Sequence, residues 1–185
     1  MARKKNVKKT KIASLLVYSD EIKLRGYTRR LMFNNRALGY AEQYCKHNDI
    51  ELPSEEILIE VSQRKLRAMF AVLYGAIKAA NEKYTAEQFE REVKLDDFIS
   101  YFDIVSKGLE EYLPVKRDVT PGLQSDCNGT GDLFGDYFEL ARQVLKMSDK
   151  QILDSSLRII EQRLKDSLGI EEDEKTGYID SVPGF

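Results

Sequence analysis

The chain has no tryptophan, one histidine, two cysteines and four prolines in 185 residues. These scarcities exclude chemistry before any motif is sought. Multi-ligand zinc sites of His and Cys cannot be assembled from three such residues. A catalytic diad or triad that needs histidine has only His47 to offer. Two cysteines do not make a disulfide framework, so a reducing compartment is the simpler expectation. Long apolar runs are missing too. The longest, Ala68 to Ile77, falls well short of the ~20 residues of a membrane span. Leu15-Leu16-Val17 is too short for a secretory signal core, so the protein is expected to stay where it is made.

What is present is charge, aromatic residues and helical periodicity. Hydrophobic residues make up 42% and charged residues 32%, with ten Tyr and eight Phe, as in a soluble domain with a heavily charged surface. The net charge of −2 is unevenly spread. Residues 1–114 carry 20 basic and 17 acidic groups, and residues 115–185 carry 9 and 14. Residues 1–11 read as a disordered basic tail, and residues 169–185, with Glu171-Glu172-Asp173-Glu174, as a flexible acidic end.

Between these ends the pattern predicts a mainly α-helical protein with one N-terminal β-hairpin. Residues 12–18 are β-prone, Ser19-Asp20-Glu21 is turn-like, and Ile22-Lys23-Leu24-Arg25 alternates as a strand does. From about residue 30, Leu31, Leu38, Ala41 and Cys45 follow helical spacing, and Asn48-Asp49 and Pro53 end that helix. Ser62 is placed to cap a helix carrying Leu66, Met69, Phe70, Leu73 and Ile77. Thr85-Ala86-Glu87-Gln88 reads as a capping box. Asp96 is expected to cap a helix with Ile99, Phe102, Val105, Leu109 and Tyr112 inward, closed by Pro114. A Pro/Gly-rich linker at 115–131 then separates this domain, residues 12–114, from a helical pair at 132–168. In the pair, Ser148-Asp149-Lys150-Gln151 is a second capping box and Gly169 a stop.

Few constellations carry chemistry. Cys45 and His47 point apart on a helix, which predicts a buried thiol beside a surface imidazole. Gly129–Gly135 is one residue off a dinucleotide fingerprint and lacks a preceding strand. Asp126–Tyr137 starts like a calcium loop but has Tyr137 where the bidentate Glu belongs. No metal and no cofactor are expected. The 4-3-4 spacing of Leu153, Leu157, Ile160 and Leu164 is too short for an independent coiled coil; packing on the preceding helix is its simpler use, with self-association the alternative. Lys23, Arg25, Arg29, Arg30 and Arg36, with Tyr27 and Phe33 between them, form a candidate phosphate-binding patch, although residues 1–114 are not strongly basic overall.

The order of elements resembles a known family. The hairpin precedes a helix with Ala37-Leu38-Gly39-Tyr40-Ala41-Glu42. Then follow the run Gln63–Ala76, the start Tyr84-Thr85-Ala86-Glu87-Gln88-Phe89, and a helix ending Gly108-Leu109-Glu110-Glu111-Tyr112-Leu113-Pro114. This layout is similar to the tail assembly chaperones of long-tailed bacteriophages. Residues Tyr137–Ile152 resemble the C-terminal extension that such systems append by programmed ribosomal frameshifting, with Gln151 where an acidic residue is common. The resemblance spans about residues 12–165. It implies a non-enzymatic protein of the host cytoplasm, absent from the mature virion. The first domain would bind tape measure protein and the helical pair would bind tail tube protein. Tyr137, Phe138, Leu153 and Leu157 are the candidate partner-binding residues. The alternative is a small helical nucleic-acid-binding regulator using the basic N-terminal region.

Overall fold

The computed structural model describes residues 17–114 and 133–169. The expected basic tail, linker, calcium-loop start and acidic end lie outside the described residues, except for Gly169. Among the described residues the fold is mainly helical with one antiparallel hairpin, as the pattern predicts.

The hairpin itself differs from the expectation. Its strands are β1 (Ser19–Leu24) and β2 (Tyr27–Met32), paired Leu24↔Tyr27 through Ser19↔Met32. The Ser19-Asp20-Glu21 segment is therefore strand, and the turn is Arg25-Gly26, both with positive φ (42° and 87°). Alternation decides this register: it puts Ile22, Leu24 and Leu31 into the core, whereas a one-residue slip would turn them all to solvent.

Helix α1 (Asn35–His47) starts at Asn34, whose side chain accepts from the Ala37 N–H. Helix α2 (Ser54–Ser62) was not expected. Glu42 reaches across from α1 and accepts both the N–H and the hydroxyl of Ser54 at 2.6 Å, which satisfies donors at its half-buried start. Ser62 is consequently the last residue of α2, not the cap of the next helix. Arg64, with φ of 58°, reverses the chain into α3 (Leu66–Ala80).

Helix α3 is the centre of the fold. Ala68, Met69 and the whole run Ala71–Ile77 are buried. It crosses α1 so closely that a methyl group added at Gly75 would lie 2.1 Å from the Ala37 carbonyl oxygen. Only glycine permits that approach. Tyr44, Tyr74 and Phe89 stack around this crossing with ring centres 4.8–5.7 Å apart.

Helix α4 (Ala86–Glu92) carries the expected reciprocal Thr85/Gln88 capping box. Asp96 falls in a 3-10 turn, Leu95–Asp97, and α5 (Phe98–Tyr112) follows without a side-chain cap. Its inward face is Tyr101, Val105, Gly108, Leu109 and Tyr112. Ile99, expected inward, is 75% exposed, one helical step outside that stripe.

The C-terminal part is three helices, not a pair: α6 (Leu133–Gln143), α7 (Asp149–Leu153) and α8 (Leu157–Leu168). The Ser148/Gln151 capping box opens α7 as expected. Two serines break the predicted single helix. The Ser155 hydroxyl donates to the Gln151 carbonyl at 2.7 Å, and Ser156 caps α8 by accepting from the Ile159 N–H. Gly169, left-handed at φ 65°, ends α8.

These helices have a small core of Ala141, Met147, Ile152, Ile160 and Leu164. They also dock on the body. Leu157 belongs to the main core. Asn35 is the pin: its N–H donates to the Ser155 carbonyl (2.9 Å), its Nδ2 to the Ile152 carbonyl (2.7 Å), and its Oδ1 accepts the Tyr112 hydroxyl (2.5 Å). Arg158 adds bonds to the Leu113 carbonyl (3.0 Å), the Glu110 carbonyl and the Glu111 carboxylate (2.7 Å).

Candidate functional site

Three concave surfaces stand out among the described residues. The first is an apolar groove of about 550 Å³ between the end of α1 and the start of α3. Asn48 and Asp49 create it. Asn48 closes α1, its Nδ2 donating to the Tyr44 carbonyl at 2.9 Å, and Asp49, at φ 56°, turns the chain so that Ile50 folds back on Cys45. Tyr44, Cys45, Ile50 and Phe70 form the apolar lining, with Leu66, 39% exposed, beside them. Lys65 and Arg67 stand at the rim.

Both rim cations hold the buried carboxylate of Glu60, through Lys65 Nζ at 3.1 Å and Arg67 Nε at 2.6 Å. The Arg67 bonds, with those of Lys65, hold the Glu60 carboxyl down to about 2. Burial pushes the Cys45 thiol up. Burial also raises the Tyr44 phenol, to about 12. The groove is thus an apolar surface with two cations at its rim.

The second surface, about 400 Å³, lies between α1, the start of α2 and helices α6 and α7. Leu38, Pro53, Phe134, Phe138 and Leu153 supply its apolar wall. Two of the four candidate partner residues, Phe138 and Leu153 (38% exposed), therefore fall on one cleft. Tyr137 is half-buried against the C-terminal core, and burial raises its phenol. Leu157 is corrected: it is wholly buried in the main core and presents no surface to a partner. The Ser155-Ser156 break starts a new helix between Leu153 and Leu157, so the two do not continue one stripe.

The third surface is polar and lies at the tip of the hairpin beside α4. Arg25, Tyr27, Arg29, Gln88, Arg91 and Glu92 line about 420 Å³. Of the basic patch read from sequence, Arg29 is bound to Glu92 and Arg36 to Asp154 and Glu82. Those two charges are spent inside the fold.

Cys45 is buried and His47 exposed, as their spacing predicts. Among the described residues no group of three or more His, Cys, Asp or Glu could hold a metal ion, and no helix is long and apolar enough to cross a membrane. The α1/α3 groove has no signature in any one segment, because its walls come from segments some 20 residues apart. The one local signal was Leu66, an apolar residue at a helix start with charged neighbours. The chain matches no protein-family model, no curated protein and no solved structure.

Proposed function

We propose that this protein is a tail assembly chaperone of a long-tailed bacteriophage, acting in the host cytoplasm without chemistry of its own and leaving before the virion is complete. In this reading the α1/α3 groove takes an apolar helical stripe of tape measure protein. The cleft carrying Phe138 and Leu153 takes tail tube protein. The observation that supports the reading most is the α1/α3 groove, an open apolar surface with a charged rim. Long helices with apolar stripes and subunits with unpaired polymerising edges are aggregation hazards until covered. A groove of this kind suits the helix-in-groove mode of recognition.

The test is co-expression of the full chain with each partner and pull-down from cleared lysate. Leu66→Glu is expected to lose tape measure protein and keep tail tube protein, and Phe138→Glu the reverse. If the unmodified chain retains neither partner, the proposal is wrong. If both variants lose both partners while remaining folded, the assignment of partners to surfaces is wrong.

A further inference from the structure

The hairpin tip contains a backbone choice that packing does not explain. A two-residue turn with φ positive at both positions favours Asn-Gly or Asp-Gly. Here the first position is Arg25, at φ 42°, where a side chain with a Cβ is disfavoured. No hydrogen bond or ion pair holds the Arg25 guanidinium among the described residues. Residues kept in such conformations cluster at functional sites.

What Arg25 gains is a place on the polar cleft. The floor of that cleft is tied together by hydrogen bonds and ring contacts. Arg29 donates through Nε to Glu92 at 2.8 Å, the Tyr84 hydroxyl donates to the same carboxylate at 2.8 Å, and the rings of Tyr27 and Tyr84 each lie 5.1 Å from the Arg29 guanidinium carbon. Glu92 cancels the charge of Arg29. Arg91 spends only its Nε, on the Glu87 carbonyl at 3.1 Å. The residues that line the cleft thus carry three guanidiniums and one carboxylate, a net of two positive charges, with Glu87 close enough to Arg91 to feel its charge.

We infer that this cleft binds a phosphate group, gripped by Arg25 and Arg91 above the Arg29–Glu92 floor. Guanidinium forks match phosphate oxygens in pairs. A net of two positive charges suits a monoester dianion, or two successive monoanionic phosphates of a strand, better than a single carboxylate. Tyr27, 57% exposed, offers an adjoining ring to a base. The phosphate belongs either to a free nucleotide or to the backbone of a single-stranded nucleic acid. The site uses none of the residues of the two apolar surfaces and stands apart from the chaperone reading.

The test is calorimetric titration of the full chain with inorganic phosphate, AMP and a short oligothymidine. Arg25→Gln and Arg91→Gln are each expected to weaken binding by about tenfold or more. Lys23→Gln, on the outer face of the hairpin, is expected to leave it unchanged. Arg25→Asn suits the turn better, so it should raise Tm while losing affinity. Binding of AMP as tight as that of the oligonucleotide identifies a free nucleotide; markedly tighter oligonucleotide binding with the same Arg25 dependence identifies a strand. Absence of binding at millimolar phosphate, AMP and oligothymidine overturns the inference. So does a loss in Lys23→Gln equal to that in Arg25→Gln, or an Arg25→Asn variant that keeps full affinity.

Discussion

Asn35→Ala is expected to loosen the joint between the body and the C-terminal helices, and the bonds at this residue set the size of the effect. The Ile152 carbonyl keeps a second donor, the Ser155 N–H at 3.1 Å, so losing Asn35 Nδ2 removes one hydrogen bond and orphans nothing. That is worth about 0.5–1.5 kcal/mol. The Tyr112 hydroxyl is different. Its ring is 1% exposed and Asn35 Oδ1 takes its proton, so the substitution strands a buried donor at a cost of about 1–3 kcal/mol. Together the loss is about 1.5–4.5 kcal/mol. Adding Tyr112→Phe deletes the stranded hydroxyl and should restore about 1–2 kcal/mol of it. Urea unfolding followed by circular dichroism measures all three chains. The reasoning fails if Asn35→Ala lies within about 0.5 kcal/mol of the parent, the range of a neutral surface change. It also fails if Tyr112→Phe deepens the defect instead of relieving it.

Three other outcomes follow from packing and charge. Gly75→Ala should destabilise by roughly 1–3 kcal/mol or prevent folding, although alanine favours helices, because the added methyl meets the backbone of α1; thermal melts read it. Glu60 has an ordinary carboxyl value of 4.5 once unfolded and about 2 in the fold. The unfolded chain therefore takes up the proton first as pH falls, and the stability Glu60 provides is full above 4.5 and lost between there and about 2. Glu60→Gln should flatten that part of the acid-unfolding curve, and an unchanged slope would deny Glu60 its role. Leu157→Ala should cost about 2–5 kcal/mol as a core cavity, whereas Leu153→Ala, at an exposed position, should stay within about 0.5 kcal/mol in the same denaturant series.

Local signals were legible in the sequence and long-range ones were not. The Thr85 and Ser148 capping boxes, the Gly169 stop and the α3 stripe each depend on residues within a turn or two of one another, so spacing alone identifies them. The hairpin register was not legible because Arg25-Gly26 is an unlikely turn pair, while Ser19-Asp20-Glu21 has turn composition but lies in β1. Helix α2 was hidden because Ile57-Leu58-Ile59 is a continuous apolar triplet without a clear period, and its start is completed by Glu42, twelve residues away. Phe138 and Leu153 reached a shared cleft, whereas Leu157 was drawn into the core by a two-serine break that composition does not announce. Both grooves are assembled by α1 packing on other helices, and that packing has no signature in any single segment.

Both apolar surfaces are built on α1. Cys45 and Tyr44 wall the first groove at one end of the helix, and Leu38 and Asn35 wall the second at the other. Ten residues of helix separate Asn35 from Cys45, about 15 Å of rise. The second surface reaches along α1 as far as Glu42, so the two surfaces approach each other near the middle of the helix. Between them lies the α1/α3 crossing, where Gly75 leaves the Ala37–Ala41 backbone no room to shift toward α3. The Asn35 end of the same helix carries the pin that holds Ile152 and Ser155. One helix, fixed against α3 near its middle, thus supplies a wall of both apolar surfaces and the main polar anchor of the C-terminal helices.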